Sequence, residues 1–133
     1  MKAVFADTVF FVALLSADDQ YHDQAVRLSG TTRHPILTTE FVLLEVANAL
    51  SSALRRQGFS TLWKQLRSDP FTRIVSATST LFTRGHELYE NRPDKDWSLT
   101  DCISFVVMKA EGVTEALTAD HHFEQAGLVR LMQ

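Results

Sequence analysis

Apolar residues along this chain fall into two kinds of run. Short, nearly continuous runs have the length of buried strands, and longer stretches between them repeat with a helical spacing. "KAVFAD" (2–7) reads as a first strand, with a helix beginning near Thr8 or Val9. A second helix is expected from Asp19 to Ser29, where His22, Ala25, Val26 and Leu28 give a partial apolar face. "PILTT" (35–39) is a second strand, followed by a long helix from Glu40 to Gln57 that Gly58 stops. "FSTLWKQLRS" (59–68) is a helix closed before Pro70, and "FTRIVSA" (71–77) alternates like a strand. Residues 78–91 are helical, and after the loop "NRPDKDW" a helix runs from Ser98 to Glu111 and ends at Gly112. "TEALTAD" (114–120) is a strand, "HHFEQAG" (121–127) a helical turn and "LVRLM" (128–132) a last short strand.

Strand–helix alternation with continuous apolar strands predicts an α/β fold: a central parallel sheet of about five short strands with helices on both faces. No repeat, low-complexity tract or Pro/Gly linker divides the 133 residues, so a single domain spanning 1–133 is expected. At 45% hydrophobic and 22% charged, the composition is that of an ordinary globular domain. No stretch approaches the ~20 apolar residues of a membrane-spanning helix. The run "VFFVALL" near the start imitates a secretory leader, but Asp7 interrupts it and the run is short. Cys102, the one cysteine, lies in an apolar helix, and a reduced thiol in a cytoplasmic protein is expected.

Candidate chemistry comes from the acids. Ligands of an open parallel sheet bind outside the carboxyl ends of its strands. Asp7 ends the first strand, Asp120 ends "TEALTAD", and Asp101 opens the helix that leads back to the sheet. Each has a local explanation. Asp7 and Asp120 stand where helix N-caps do, and Ser98 with Asp101 forms a capping-box pattern. An acid in the first turn gains roughly 0.3–1 kcal/mol from the helix dipole.

Glu45 resists that explanation. It lies mid-helix in "FVLLEVANAL", where Phe41, Val42, Asn48 and Ala49 offer little to pair a charge. Its ordinary alternative is an exposed side chain on a half-buried helix. Two carboxylates ~5 Å apart repel by roughly 3 kcal/mol at an effective dielectric of 20. Four converging acids therefore call for a divalent cation, Mg²⁺ or Mn²⁺, which takes oxygen ligands and promotes phosphodiester hydrolysis. Setting those four acids aside takes the formal charge from −3 to +1, so the balance does not exclude a polyanionic substrate. Arg55, Arg56, Lys64, Arg67, Arg73, Arg84, Arg92 and Lys95 are available for phosphates, or simply form a solvated face.

The segments "FADTVFFVALL", "TTEFVLLEVANAL", "DWSLTDCISFVVM" and "ALTADHHFEQAG" together resemble the PIN domain, specifically the VapC-type toxins of bacterial toxin–antitoxin pairs. The resemblance covers nearly the whole chain and implies a three-layer α/β/α fold and a metal-dependent endoribonuclease acting on RNA. It makes Asp7 and Asp101 the principal Mg²⁺ or Mn²⁺ ligands, with Glu45 and Asp120 completing the catalytic cluster. Thr8 and Thr118 support it by hydrogen bonding, and Asp96 is a peripheral acid. It further implies a homodimer held inactive by a cognate antitoxin.

Other residues have plainer readings. Glu40 is a first-turn acid. His121 and His122 suggest a metal pair, but neighbours on a helix are expected to point apart. Trp63 and Trp97 are read as packing or interface residues ahead of base stacking. Rival functions lack a needed residue. A phosphatase of the haloacid dehalogenase type wants an Asp where Val9 stands. A receiver-like module, or another acidic Mg²⁺ pocket without nuclease activity, is the main alternative, and the receiver wants a Lys near a late strand. A PIN scaffold acting only as an antitoxin-bound dimer would not need its acids intact.

Overall fold

The computed structural model describes residues 2–31 and 34–133. Five strands, β1 (Val4–Ala6), β2 (Ile36–Thr39), β3 (Thr72–Val75), β4 (Glu115–Leu117) and β5 (Val129–Arg130), form one sheet in the order β3-β2-β1-β4-β5. Every neighbouring pair is parallel. All five expected strands are present, trimmed at their ends. The central strand β1 is buried along its whole length, which is why its run is uninterrupted by polar residues. It pairs Phe5 with Leu37 on one side and with Ala116 on the other.

Seven helices connect these strands: α1 (Thr8–Leu15), α2 (His22–Thr31), α3 (Glu40–Ala49), α4 (Arg56–Ser68), α5 (Ser79–Asn91), α6 (Leu99–Glu111) and α7 (His122–Gln125). The chain steps from β1 outward to β3, then returns to β4 beside β1 and proceeds outward again. Right-handed crossovers in opposite directions put their helices on opposite faces, giving the expected three layers. The order reverses between β1 and β4, so the crevice of the fold opens above those two strands. It differs from the 2-1-3-4-5 order of flavodoxin-like receivers, which removes the structural basis for the receiver-like reading.

Two helix boundaries depart from expectation. The long helix from Glu40 to Gln57 is two helices. α3 stops at Ala49, with the buried Leu50 as its C-cap, and Ser52 O accepts from the N–H groups of Arg55 and Arg56 in the turn that starts α4. Serines compete with helical hydrogen bonding, and Ser51–Ser52 marks the break. Gly58, expected to stop the helix, lies inside α4 with open space where a Cβ would stand. α2 begins at His22 rather than Asp19, because the Asp19 carboxylate accepts from the Tyr21 N–H and turns the chain first.

Beneath the crevice lies an aromatic chain. Trp97 meets Phe105 edge-on at 5.0 Å, Phe105 meets Phe123 at 4.9 Å, and Phe123 reaches Phe5 of β1 at 6.3 Å. Trp97 is buried and donates its indole N–H to Gln125 Oε1 at 3.0 Å, so it packs rather than stacks on bases. α5 and α6 approach closely where Gly85 faces Ile103. A Cβ on Gly85 would lie 3.2 Å from the Ile103 Cα and closer still to its Cγ1.

Candidate active site

β1 delivers Asp7 to the rim of the crevice, and its carbonyl oxygen starts α1 by accepting from Phe10 and Phe11. Its carboxylate makes no cap bond to α1. Instead it accepts from the hydroxyl of Thr118, just past β4, at 2.8 Å through Oδ2. The N-cap reading of Asp7 thus holds for its backbone alone. Asp7 is only 3% exposed, and its pKa is pushed up to about 7. Burial is the main cause, with Asp101 and Asp120 adding to it. The Thr118 hydroxyl and the neighbouring Thr8 backbone N–H pull the other way.

Asp101 closes the expected capping box: its N–H donates to Ser98 Oγ at 3.0 Å, and its Oδ2 accepts from the Ser98 N–H at 3.3 Å. It is also buried, and burial followed by the negative charge of Asp120 raises its pKa. His122 and the Ser98 N–H oppose that rise. A cap has no need of such an environment, and the local explanation covers only part of what Asp101 meets.

Asp120 Oδ1 accepts from the backbone N–H of His122 at 2.9 Å, while Thr118 Oγ1 accepts from the Asp120 N–H at 3.1 Å. Thr118 therefore ties Asp7 and Asp120 together. Glu45, on α3, is tied to the residue that follows Asp7. Its Oε1 accepts from the Thr8 hydroxyl at 2.7 Å, a partner that its own helix could not supply. Asp7, Glu45, Asp101 and Asp120 each accept, through a named oxygen, a hydrogen bond from a neighbouring group of the protein. Among the described residues no Lys or Arg forms an ion pair with any of them. Asp96 is exposed. Glu40 holds the Ala77 N–H at 2.7 Å, a structural bond between α3 and the exit of β3.

The histidines depart from expectation. His121 is the N-cap of α7 and His122 its first residue, and the two side chains nevertheless lie on the same side as Asp120. Their rings lie 4.5 Å apart. His122 Nδ1 sits 3.2 Å from Asp101 Oδ2 and 3.3 Å from Asp120 Oδ1. Only the doublet "HH" directly after Asp120 signals this in the sequence.

Comparison with known proteins follows the same lines. The PIN domain family model matches residues 4–128. The "23S rRNA-specific endonuclease VapC20" of Mycobacterium tuberculosis is 29% identical over 130 residues, covering 96% of this chain and 97% of that protein. The crystal structure of M. tuberculosis VapC20, described as a sarcin–ricin loop cleaving toxin, has a TM-score of 0.86 at 26% identity, over 98% of this chain and 99% of that one. VapBC2 from Rickettsia felis, bound to a DNA fragment from its promoter, shares the fold with a TM-score of 0.67 at 15% identity, over 98% of this chain and 99% of that one. FitAcB from Neisseria gonorrhoeae does so at 0.64 and 15%, over 96% and 95%. With its sheet order, its rim of acids and a family match over nearly its whole length, the chain belongs to the PIN domain family.

Proposed function

We propose that this chain is a single-domain, VapC-type endoribonuclease that hydrolyses RNA phosphodiester bonds with a bound Mg²⁺ or Mn²⁺. The observation that carries the reading is Asp7, a carboxylate 3% exposed and set beside Asp101 and Asp120 with no cationic Lys or Arg partner among the described residues. The donor set fits a hard divalent ion, because it is built of carboxylate oxygens whose orientation the protein already fixes. When bound, such an ion neutralises the acids, promotes ionisation of water and stabilises charge on the phosphodiester.

Asp7 and Asp101 are the principal ligands in this reading, and Glu45 and Asp120 complete the set and orient the attacking water. Thr118 holds Asp7 Oδ2, and Thr8 holds Glu45 Oε1. Those two hydroxyls each occupy one carboxylate oxygen and leave the other for the ion in this reading. Ser98 does the same for Asp101 through the capping box. Asp96 plays a peripheral part.

The name of the relative at 29% identity makes ribosomal RNA the first substrate to test. A cognate antitoxin and a homodimer belong to the same proposal. The exposed Leu44 on α3 and Leu54 in the turn after it, 96% exposed, give a partner apolar surface to cover. A cytoplasmic location suits the reduced, buried Cys102.

The experiment is cleavage of a 23S rRNA fragment containing the sarcin–ricin loop, with Mg²⁺ or Mn²⁺ and with EDTA. Metal-dependent cutting that disappears in both Asp7→Asn and Asp101→Asn supports the reading. Intact RNA under every metal condition, from wild-type protein that binds Mg²⁺, would count against nuclease action on that RNA.

A further inference from the structure

Beside the oxygen donors lies a second donor set of different chemistry. Asp120, His121 and His122 each offer a ligand atom, and these atoms all lie within 4.8 Å of one another. His122 Nδ1 is 3.3 Å and His121 Nδ1 3.8 Å from Asp120 Oδ1, and Asp101 Oδ2 is 3.2 Å from His122 Nδ1. At metal–ligand bonds near 2.1 Å, the edge of a tetrahedral shell is about 3.4 Å. The separations of the imidazole nitrogens from the carboxylate oxygens lie close to that edge.

We infer that Asp120, His121 and His122, with Asp101 Oδ2 at their edge, form a transition-metal site of the Zn²⁺ class. Imidazole nitrogen suits Zn²⁺ and its neighbours, whereas Mg²⁺ prefers oxygen and water. Each ring binds through Nδ1 once its proton resides on Nε2. His121 is well exposed and His122 partly so, which leaves water to hydrogen-bond the Nε2–H. The rim thus holds two overlapping donor sets that share Asp120 and Asp101: an all-carboxylate set reaching back to Asp7, and a nitrogen-containing set at the start of α7.

Sharing has a consequence that rests on the nuclease reading. A Zn²⁺-class ion at the histidines re-orients the Asp120 and Asp101 carboxylates and sets a second positive charge beside the Mg²⁺ set, so it inhibits Mg²⁺-dependent cleavage rather than supporting it. The binding claim itself does not depend on activity.

The test is calorimetric titration of the chelator-stripped full chain with Zn²⁺ in excess Mg²⁺. Wild type, His121→Gln, the double variant His121→Gln/His122→Gln and Asp7→Asn are compared. Expected are one Zn²⁺ per chain, and a loss in affinity on the order of 100-fold in the double variant, since even outer-shell partners of metal ligands are worth ~10–100-fold. His121→Gln, at an exposed position, weakens binding without affecting the fold, and Asp7→Asn retains Zn²⁺. Equal Zn²⁺ affinity in the double variant, or loss of Zn²⁺ in Asp7→Asn alone, would overturn the site. If Zn²⁺ binds as expected and no RNA is cut, the site stands and the nuclease reading fails.

Discussion

The Thr8 hydroxyl donates to Glu45 Oε1 at 2.7 Å, joining two helices whose contacting residues are 37 positions apart. That bond takes up the one acid that no helix terminus accounts for. It ties a mid-helix carboxylate to the residue next to Asp7. Thr8→Val keeps the shape and deletes the donor. Expected is a fall in RNA cleavage of ~10–100-fold at saturating Mg²⁺ with the fold intact, as for other losses of a ligand-orienting partner. Thr8→Ser restores most of it. Equal rates for wild type and the valine variant in a single-turnover assay would show that Glu45 needs no such support.

Asp101 carries a cap and a charge, and two substitutions separate them. Asn at 101 still accepts from the Ser98 N–H but no longer repels Asp120. Metal-free Asp101→Asn should therefore be as stable as wild type or more so in urea unfolding, while cleavage is lost. Ser98→Ala removes the other half of the box and should cost ~1 kcal/mol. A loss of 1 kcal/mol or more in Asp101→Asn would make the cap its main role.

Asp7 predicts the pH dependence of the metal-free protein. Its folded pKa of about 7 lies above the ordinary 3.8, so the native state binds the extra proton between those values. Its contribution to stability is largest below pH 3.8 and is lost as pH rises to about 7, on the order of 4 kcal/mol at 1.36 kcal/mol per unit. Asp101 is raised too and slopes in the same direction. With EDTA present, the unfolding midpoint should fall from pH 5 to pH 8, and Asp7→Asn should flatten that fall. Saturating Mn²⁺ opposes the trend, because the ion binds ionised carboxylates. A midpoint that rises with pH in EDTA, and does so equally in Asp7→Asn, would contradict the assignment.

Gly85 is fixed by packing. A methyl group there meets the Ile103 side chain and lies 3.2 Å from its backbone. Gly85→Ala should destabilise by ~1–3 kcal/mol through overpacking, outweighing its better helix propensity. Ile103→Ala in the same background deletes the Cγ1 that the new methyl meets, so the double variant should lose less stability than the sum of the two single variants. Stability within ~0.5 kcal/mol of wild type would mean that α5 can shift freely over α6.

The strands were legible because the parallel sheet is buried and leaves continuous apolar runs such as Val4–Ala6. Asp7, Asp101 and Asp120 stand out in the sequence because each lies at an element end, and the structure sets Asp101 and Asp120 near Asp7. What stayed hidden depends on contacts between distant segments. The family resemblance names Thr8 and Thr118 as supporting hydroxyls, but nothing around Glu45 pairs it with Thr8 and nothing local to Asp7 pairs it with Thr118. The break after Ala49 escaped notice because Ser51 and Ser52 are only weak interrupters, while Leu50 continues the apolar pattern. The spacing of the histidine pair argues against their meeting, yet with helical backbone angles at His121 the two rings still approach to 4.5 Å.

Thr118 and Asp7 stand 111 positions apart, joined by one hydrogen bond across the neighbouring strands β4 and β1. Until β4 takes its place beside β1, Asp7 has neither its hydroxyl partner nor its acidic neighbours. A nascent chain can complete β1, β2 and β3 with their helices and still possess no rim. The charge cluster is in this sense a late acquisition, and it arrives with β4, the strand that covers the second side of β1.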